Sequence, residues 1–138
     1  MNKVQCTGVD DTYLGLVWQK VVPLLTPALG DGDTIENVLT QLFLKKAQLW
    51  IGADEQNIHV ACVTEIIHRG GRKYCNVWLA GGTGVNNWLW YLDTIEEWAK
   101  AQDCDAMLID RARTGWKRLL SQYKTKTITL MKELEHGR

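Results

Sequence analysis

The sequence predicts a small α/β (α+β) protein with the element order ααβββαβαβ. Three observations carry that expectation. Apolar residues recur at helical spacing over the first forty or so positions, residues 48–80 change to short β-type runs separated by compact turns, and a strand, a glycine-bearing loop and a helix then follow directly. The 138 residues suit one domain spanning 1–138, large enough for a core without disulfides or metals.

Tyr13, Leu16, Val17, Val21, Leu24 and Leu25 set out the first helix, which Pro23 is expected to kink or shorten. Pro27 and Gly30-Asp31-Gly32-Asp33 break the period. Asp33 and Glu36 have the spacing of a capping box, and the second helix is expected to bury Ile35, Val38, Leu39, Leu42, Phe43 and Ala47. Strands are predicted over 49–53, 58–68 and 73–80. Asp54-Glu55-Gln56-Asn57 and Arg69-Gly70-Gly71-Arg72 are turn signals that make these strands an antiparallel meander. In the middle strand both alternating sets, Ile58, Val60 and Cys62 against Ala61 and Val63, are apolar, so both faces should be covered. After the loop over 80–87, Trp88, Tyr91, Leu92, Ile95, Trp98 and Ala99 form one helical stripe. Residues 106–110 read as a buried strand, 114–123 as a short helix and 125–134 as a last strand.

A composition of 46% hydrophobic and 23% charged residues excludes a disordered or fibrous chain. Sixteen basic and sixteen acidic residues cancel, which removes the field that would draw the molecule to nucleic acid or an anionic membrane. No apolar run approaches the ~20 residues of a membrane span and the amino terminus has no apolar signal core, so a cytosolic location is expected. Cys6, Cys62, Cys75 and Cys104 form no C-x-x-C pair, and free, mostly buried thiols are expected rather than a metal site. Seven Trp stand beside four Tyr and one Phe, an excess that suits an interaction surface. Trp88 and Trp90 flank Leu89, so a helix cannot turn both to one core. Arg111, Arg113, Lys117, Arg118, Lys124 and Lys126 concentrate charge near the carboxyl terminus, but no aromatic residues interleave regularly; a solvated face is expected and nucleic acid is not. No nucleophile elbow, P-loop or metal-spaced ligand set occurs.

In element order nearly the whole chain resembles the GNAT (GCN5-related N-acetyltransferase) family, a central mixed β-sheet flanked by helices. In local wording it is similar to small GNAT-like proteins of bacteriophages and prophages at three stretches. These are Leu49-Trp50-Ile51 leading into Ala61-Cys62-Val63-Thr64-Glu65-Ile66, then Ile95-Glu96-Glu97-Trp98-Ala99-Lys100 before Cys104-Asp105-Ala106, and Gly115-Trp116-Lys117-Arg118-Leu119-Leu120 before Lys132-Glu133-Leu134.

The resemblance implies that acetyl-CoA would place its pyrophosphate on backbone amides at a helix amino terminus. In the register Leu79-Ala80-Gly81-Gly82-Thr83-Gly84, Gly82 and Gly84 match the family's glycines, and Val85 and Asn86 would complete the cofactor contacts. Leu79 stands where the family has Arg or Gln. Glycines there equally suit a tight turn, with Asn86 or Asn87 capping the helix. Glu65 is the candidate base and Tyr123 the candidate acid. The family's catalytic tyrosine position falls near Arg118 or Leu119, however, which leaves Tyr123 at a packing position. Two readings follow. The first is a non-catalytic phage or prophage protein without a cofactor, in the bacterial host cytoplasm or the virion, acting on phage structural or assembly proteins or on a second copy of itself. The alternative is an acetyl-CoA-dependent N-acetyltransferase acting on an amine.

Overall fold

A computed structural model describes residues 5–83, 88–109, 122–124, 132 and 134. Its strands are β1 (Gln5–Val9), β2 (Ala47–Ala53), β3 (Ile58–Arg69), β4 (Arg72–Gly82) and β5 (Ala106–Leu108), and its α-helices are α1 (Asp11–Leu25), α2 (Ile35–Phe43) and α3 (Trp88–Ala101). The five strands form one sheet in the order β1-β2-β3-β4-β5, antiparallel except for the parallel β4–β5 pair that α3 connects. The predicted helix at 114–123 and strand at 125–134 lie almost wholly outside the described residues.

The meander stands where the turn signals place it, and α1 and α2 cover one sheet face while α3 covers the other. Val60, Ala61, Cys62 and Val63 are buried, as a strand covered on both sides requires. Leu14, Val21, Leu25, Val38, Leu42, Leu49, Val63 and Leu79 make the α1/α2 core. Trp50, Cys62, Cys75, Val77, Leu92, Ile95 and Ala99 make the α3 core.

Several expectations are corrected. β1 was not foreseen: it lacks an apolar alternation and exists because the edge of β2 offers it a ladder from Val9↔Leu49 to Gln5↔Ala53. Pro23 does not shorten α1. Counted from the buried stripe of Leu14, Val21 and Leu25 it falls on the outer face, where the missing amide bond costs a carbonyl only its internal partner and leaves it to water. Tyr13 and Leu16 lie outside that stripe as well, and Leu16 is 73% exposed. The cap of α2 is Thr34, whose Oγ1 accepts the Asn37 N–H at 3.0 Å; Asp33 instead accepts the Gly30 N–H at 2.9 Å. Phe43, at the last position of α2, is 60% exposed, and Ala47 is buried from β2 rather than from a helix. In α3 the predicted stripe is seen in Tyr91, Leu92, Ile95 and Ala99, with Trp98 set edge-on to Trp50 at 5.4 Å.

Candidate functional site

Between β3 and β4 the register slips by one residue. Thr64 faces Val77 and Val63 faces Leu79, leaving Trp78 as the extra residue of a bulge that packs, like Leu79, against the α1/α2 core. A bulge bends its strand and strengthens its twist. On its other side β4 pairs with β5, among the described residues, through Tyr74↔Ala106, Cys75↔Met107 and Asn76↔Leu108. Among the described residues, 77–82 therefore have no ladder partner on the β5 side. The backbone groups facing that side are donors and acceptors that a ligand can take up.

Glu65 sits beside this edge. It lies in β3 directly opposite Asn76, the last β4 residue bonded to β5, and Asn76 Nδ2 donates to Glu65 Oε1 at 3.1 Å. Strand alternation puts Glu65 on the face of Ala61 and Val63, the α1/α2 side, where it is half-buried. On the α3 side Trp50 Nε1 donates to the buried Thr64 hydroxyl at 3.0 Å, which donates to Gln48 Oε1 at 2.9 Å.

The end of β4 leads to the loop at 84–87. β4 runs two residues further than predicted, to Gly82, and Leu79 lies inside it as expected, 2% exposed within the α1/α2 core. A Cβ on Gly81 would collide with the Leu24 carbonyl oxygen of α1, and Gly82, at φ 129°, packs so closely on β3 that a Cβ would meet the His59 carbonyl oxygen. The Thr83 N–H donates to that same carbonyl at 3.0 Å. The turn before His59 is fixed by Asp54, which accepts from the Gln56 and Asn57 amides at 2.8 and 2.7 Å and from His59 Nε2 at 2.8 Å. Those bonds, the histidine first, hold the Asp54 carboxyl down at about 2. Gly84, Val85 and Asn86 lie outside the described residues.

Tyr123 packs against the α3 core, on the sheet face opposite Glu65, so the two candidates are not brought together. It lines a cleft of about 660 Å3 with Arg72, Tyr74, Glu96, Met107 and Lys124, at the end where β4 and β5 are still paired. Burial, and next the Glu96 carboxylate, push its hydroxyl above the ordinary phenol range. All four cysteines are free, and burial raises each thiol: Cys6 to about 11, Cys75 to about 12, with Cys62 and Cys104 also up. Nucleophilic cysteine chemistry needs the opposite shift. Among the described residues no group of three or more His, Cys, Asp or Glu side chains is placed to hold a metal, and no helix is long and apolar enough to cross a membrane.

Sequence reasoning did not find Asn76 or the Trp78 bulge. A signal for Asn76 existed: it is the one amide within the apolar run at 74–80.

A five-stranded mixed sheet flanked by helices in this order is the GNAT fold. No family model and no curated protein sequence matches the chain. Solved structures do. A ribosomal-protein-alanine N-acetyltransferase from Brucella melitensis biovar Abortus 2308 superposes with a TM-score of 0.67 at 12% identity, over 98% of this chain and 100% of its own. A GNAT family acetyltransferase from Staphylococcus aureus gives 0.64 at 15%, over 97% and 100%. An aminoglycoside N-acetyltransferase in complex with CoA gives 0.70 at 11%, over 96% of both chains.

Proposed function

We propose that the protein is an N-acetyltransferase that moves the acetyl group of acetyl-CoA to an amine, with Glu65 as the base. The observation that carries this reading is a β4 edge that, among the described residues, has no ladder partner beyond Asn76, beside a carboxylate held by a buried amide. The pantetheine arm of CoA is an extended chain with two amides, and an open strand edge is a partner for such groups. In the transfer the amine nitrogen bonds to the thioester carbonyl carbon and the carbon–sulfur bond breaks. The amine proton passes to Glu65, directly or through one water, and the departing thiolate takes a proton from solvent.

The test is release of CoA thiol from acetyl-CoA in the presence of a panel of amines. The structures named above suggest a peptide with an N-terminal alanine and an aminoglycoside as the first acceptors. Amine-dependent release that falls about 100-fold or more in Glu65→Gln supports the reading. No release with any amine, or release indifferent to Glu65→Gln, overturns it.

A second reading, action through protein contacts alone, has one observation in its favour: Tyr13, Leu16 and Phe43 stand exposed on α1 and α2. The tie to phage assembly rests on the three sequence stretches only. Micromolar binding of acetyl-CoA separates the readings in favour of the enzyme.

A further inference from the structure

We infer that Asn76 is the positioning residue for Glu65, presenting that carboxylate to the β4 edge with one oxygen occupied and the other left to take a proton. The inference rests on the acetyltransferase reading and goes beyond it to a residue that does not react. Asn76 is 2% exposed between Cys75 and Val77 in an apolar run. Burying an amide there is unfavourable unless its polar atoms are used. One use is the 3.1 Å bond from Nδ2 to Glu65 Oε1, made straight across the ladder. The backbone carrying that donor is gripped on both sides, by Glu65 of β3 and Leu108 of β5, which fixes the amide within the sheet rather than on a loop. Residue chemistry narrows the choice further. Aspartate would set a like charge against Glu65, and leucine would leave Oε1 without its donor; a neutral amide avoids both.

Among the described residues of the sheet, the neighbours of Glu65 on its face are these. Ala47 stands opposite on β2, Val63 and Ile67 are its same-face neighbours on β3, and Leu49 and Tyr74 lie diagonally across on β2 and β4. Tyr74 is the one titratable side chain among them, and Arg72 lies over its ring at 5.4 Å.

The experiment uses the full chain with Asn76→Asp, and with Asn76→Ser should the aspartate variant not fold. Three readouts are taken: kcat and KM for both substrates, the pH–rate profile, and a 13C NMR titration of the Glu65 carboxyl, which needs no turnover. The expected result for Asn76→Asp is a kcat lower by about 10- to 100-fold with each KM within about threefold, because a carboxylate out of position slows the chemical step without touching substrate binding. Its acid limb and the Glu65 titration should both move up by about one pH unit or more. Asn76→Ser should lower kcat less. In a Glu65→Gln background neither substitution should lower kcat further. A lower kcat with an unmoved profile and an unmoved Glu65 titration in a folded variant would mean a structural role and overturn the inference. A wild type that transfers no acetyl group, while its Glu65 titration still responds to residue 76, would overturn the acetyltransferase reading and leave the coupling standing.

Discussion

Cys6, Cys62, Cys75 and Cys104 come from four separate stretches of chain, yet all four pack at the α3 core. Their burial has a consequence for pH dependence. A thiol whose folded-state pKa lies above its ordinary value of 9.0 holds its proton more tightly when folded, so it stabilises the fold below that value and the contribution is lost as pH rises. With Cys6 at about 11 and Cys75 at about 12, the urea midpoint should fall steadily between pH 9 and 11. Replacing Cys75 by Ala should flatten that fall, and an unchanged slope would contradict the assignment. Asp54 works in the opposite sense. Its carboxyl is held at about 2 against an ordinary 3.8, so the stability it contributes is present above pH 3.8 and disappears as pH drops toward 2. Asp54→Asn should remove that part of the acid dependence, read as a smaller loss of melting temperature between pH 4 and 2.

At the scale of elements, two contacts join helices to the sheet tightly enough to test. Trp98 of α3 meets Trp50 of β2 edge-on at 5.4 Å, beside the buried Ile95 and Ala99. Trp98→Ala should cost about 3 to 5 kcal/mol of stability by chemical denaturation. Trp90, 46% exposed on the same helix, should cost under about 1 kcal/mol when truncated; the reverse order would mean that the buried face of α3 is misassigned. At the other contact Gly81 admits the Leu24 carbonyl oxygen of α1. Because the atom a Cβ would strike belongs to backbone, no side-chain rotation relieves it, and Gly81→Ala should destabilise the protein by at least about 2 kcal/mol.

For the molecule as a whole, the proposed acetyltransferase reading predicts a cofactor effect. If acetyl-CoA at 100 µM binds with a dissociation constant near 10 µM, it stabilises the folded state by about 1.4 kcal/mol, and the melting temperature should rise by roughly 3 to 7 °C. A rise below about 2 °C would return the contact-only reading to first place. Leu79→Arg should not strengthen binding. It buries a guanidinium in the α1/α2 core, so its expected outcome is a lower melting temperature with or without acetyl-CoA.

The local patterns determined most of the architecture. The turn signals at 54–57 and 69–72, the two apolar sets of β3 and the stripe of α3 each encode an element through contacts between residues close in sequence, so period and turn chemistry suffice to read them. Glu65 became a candidate through the family resemblance, as a carboxylate in the middle strand of the meander. What lay beyond the local patterns depends on residues distant in the chain. β1 exists only against β2; Tyr13 and Leu16 are outside because the face that α1 buries runs through Leu14, Val21 and Leu25; and Leu79 belongs to the α1/α2 core because a bulge at Trp78 turns it there. The Glu65–Asn76 bond spans eleven residues and depends on a register that only the folded β3–β4 ladder fixes, since a slip of one residue would send either side chain to the opposite face.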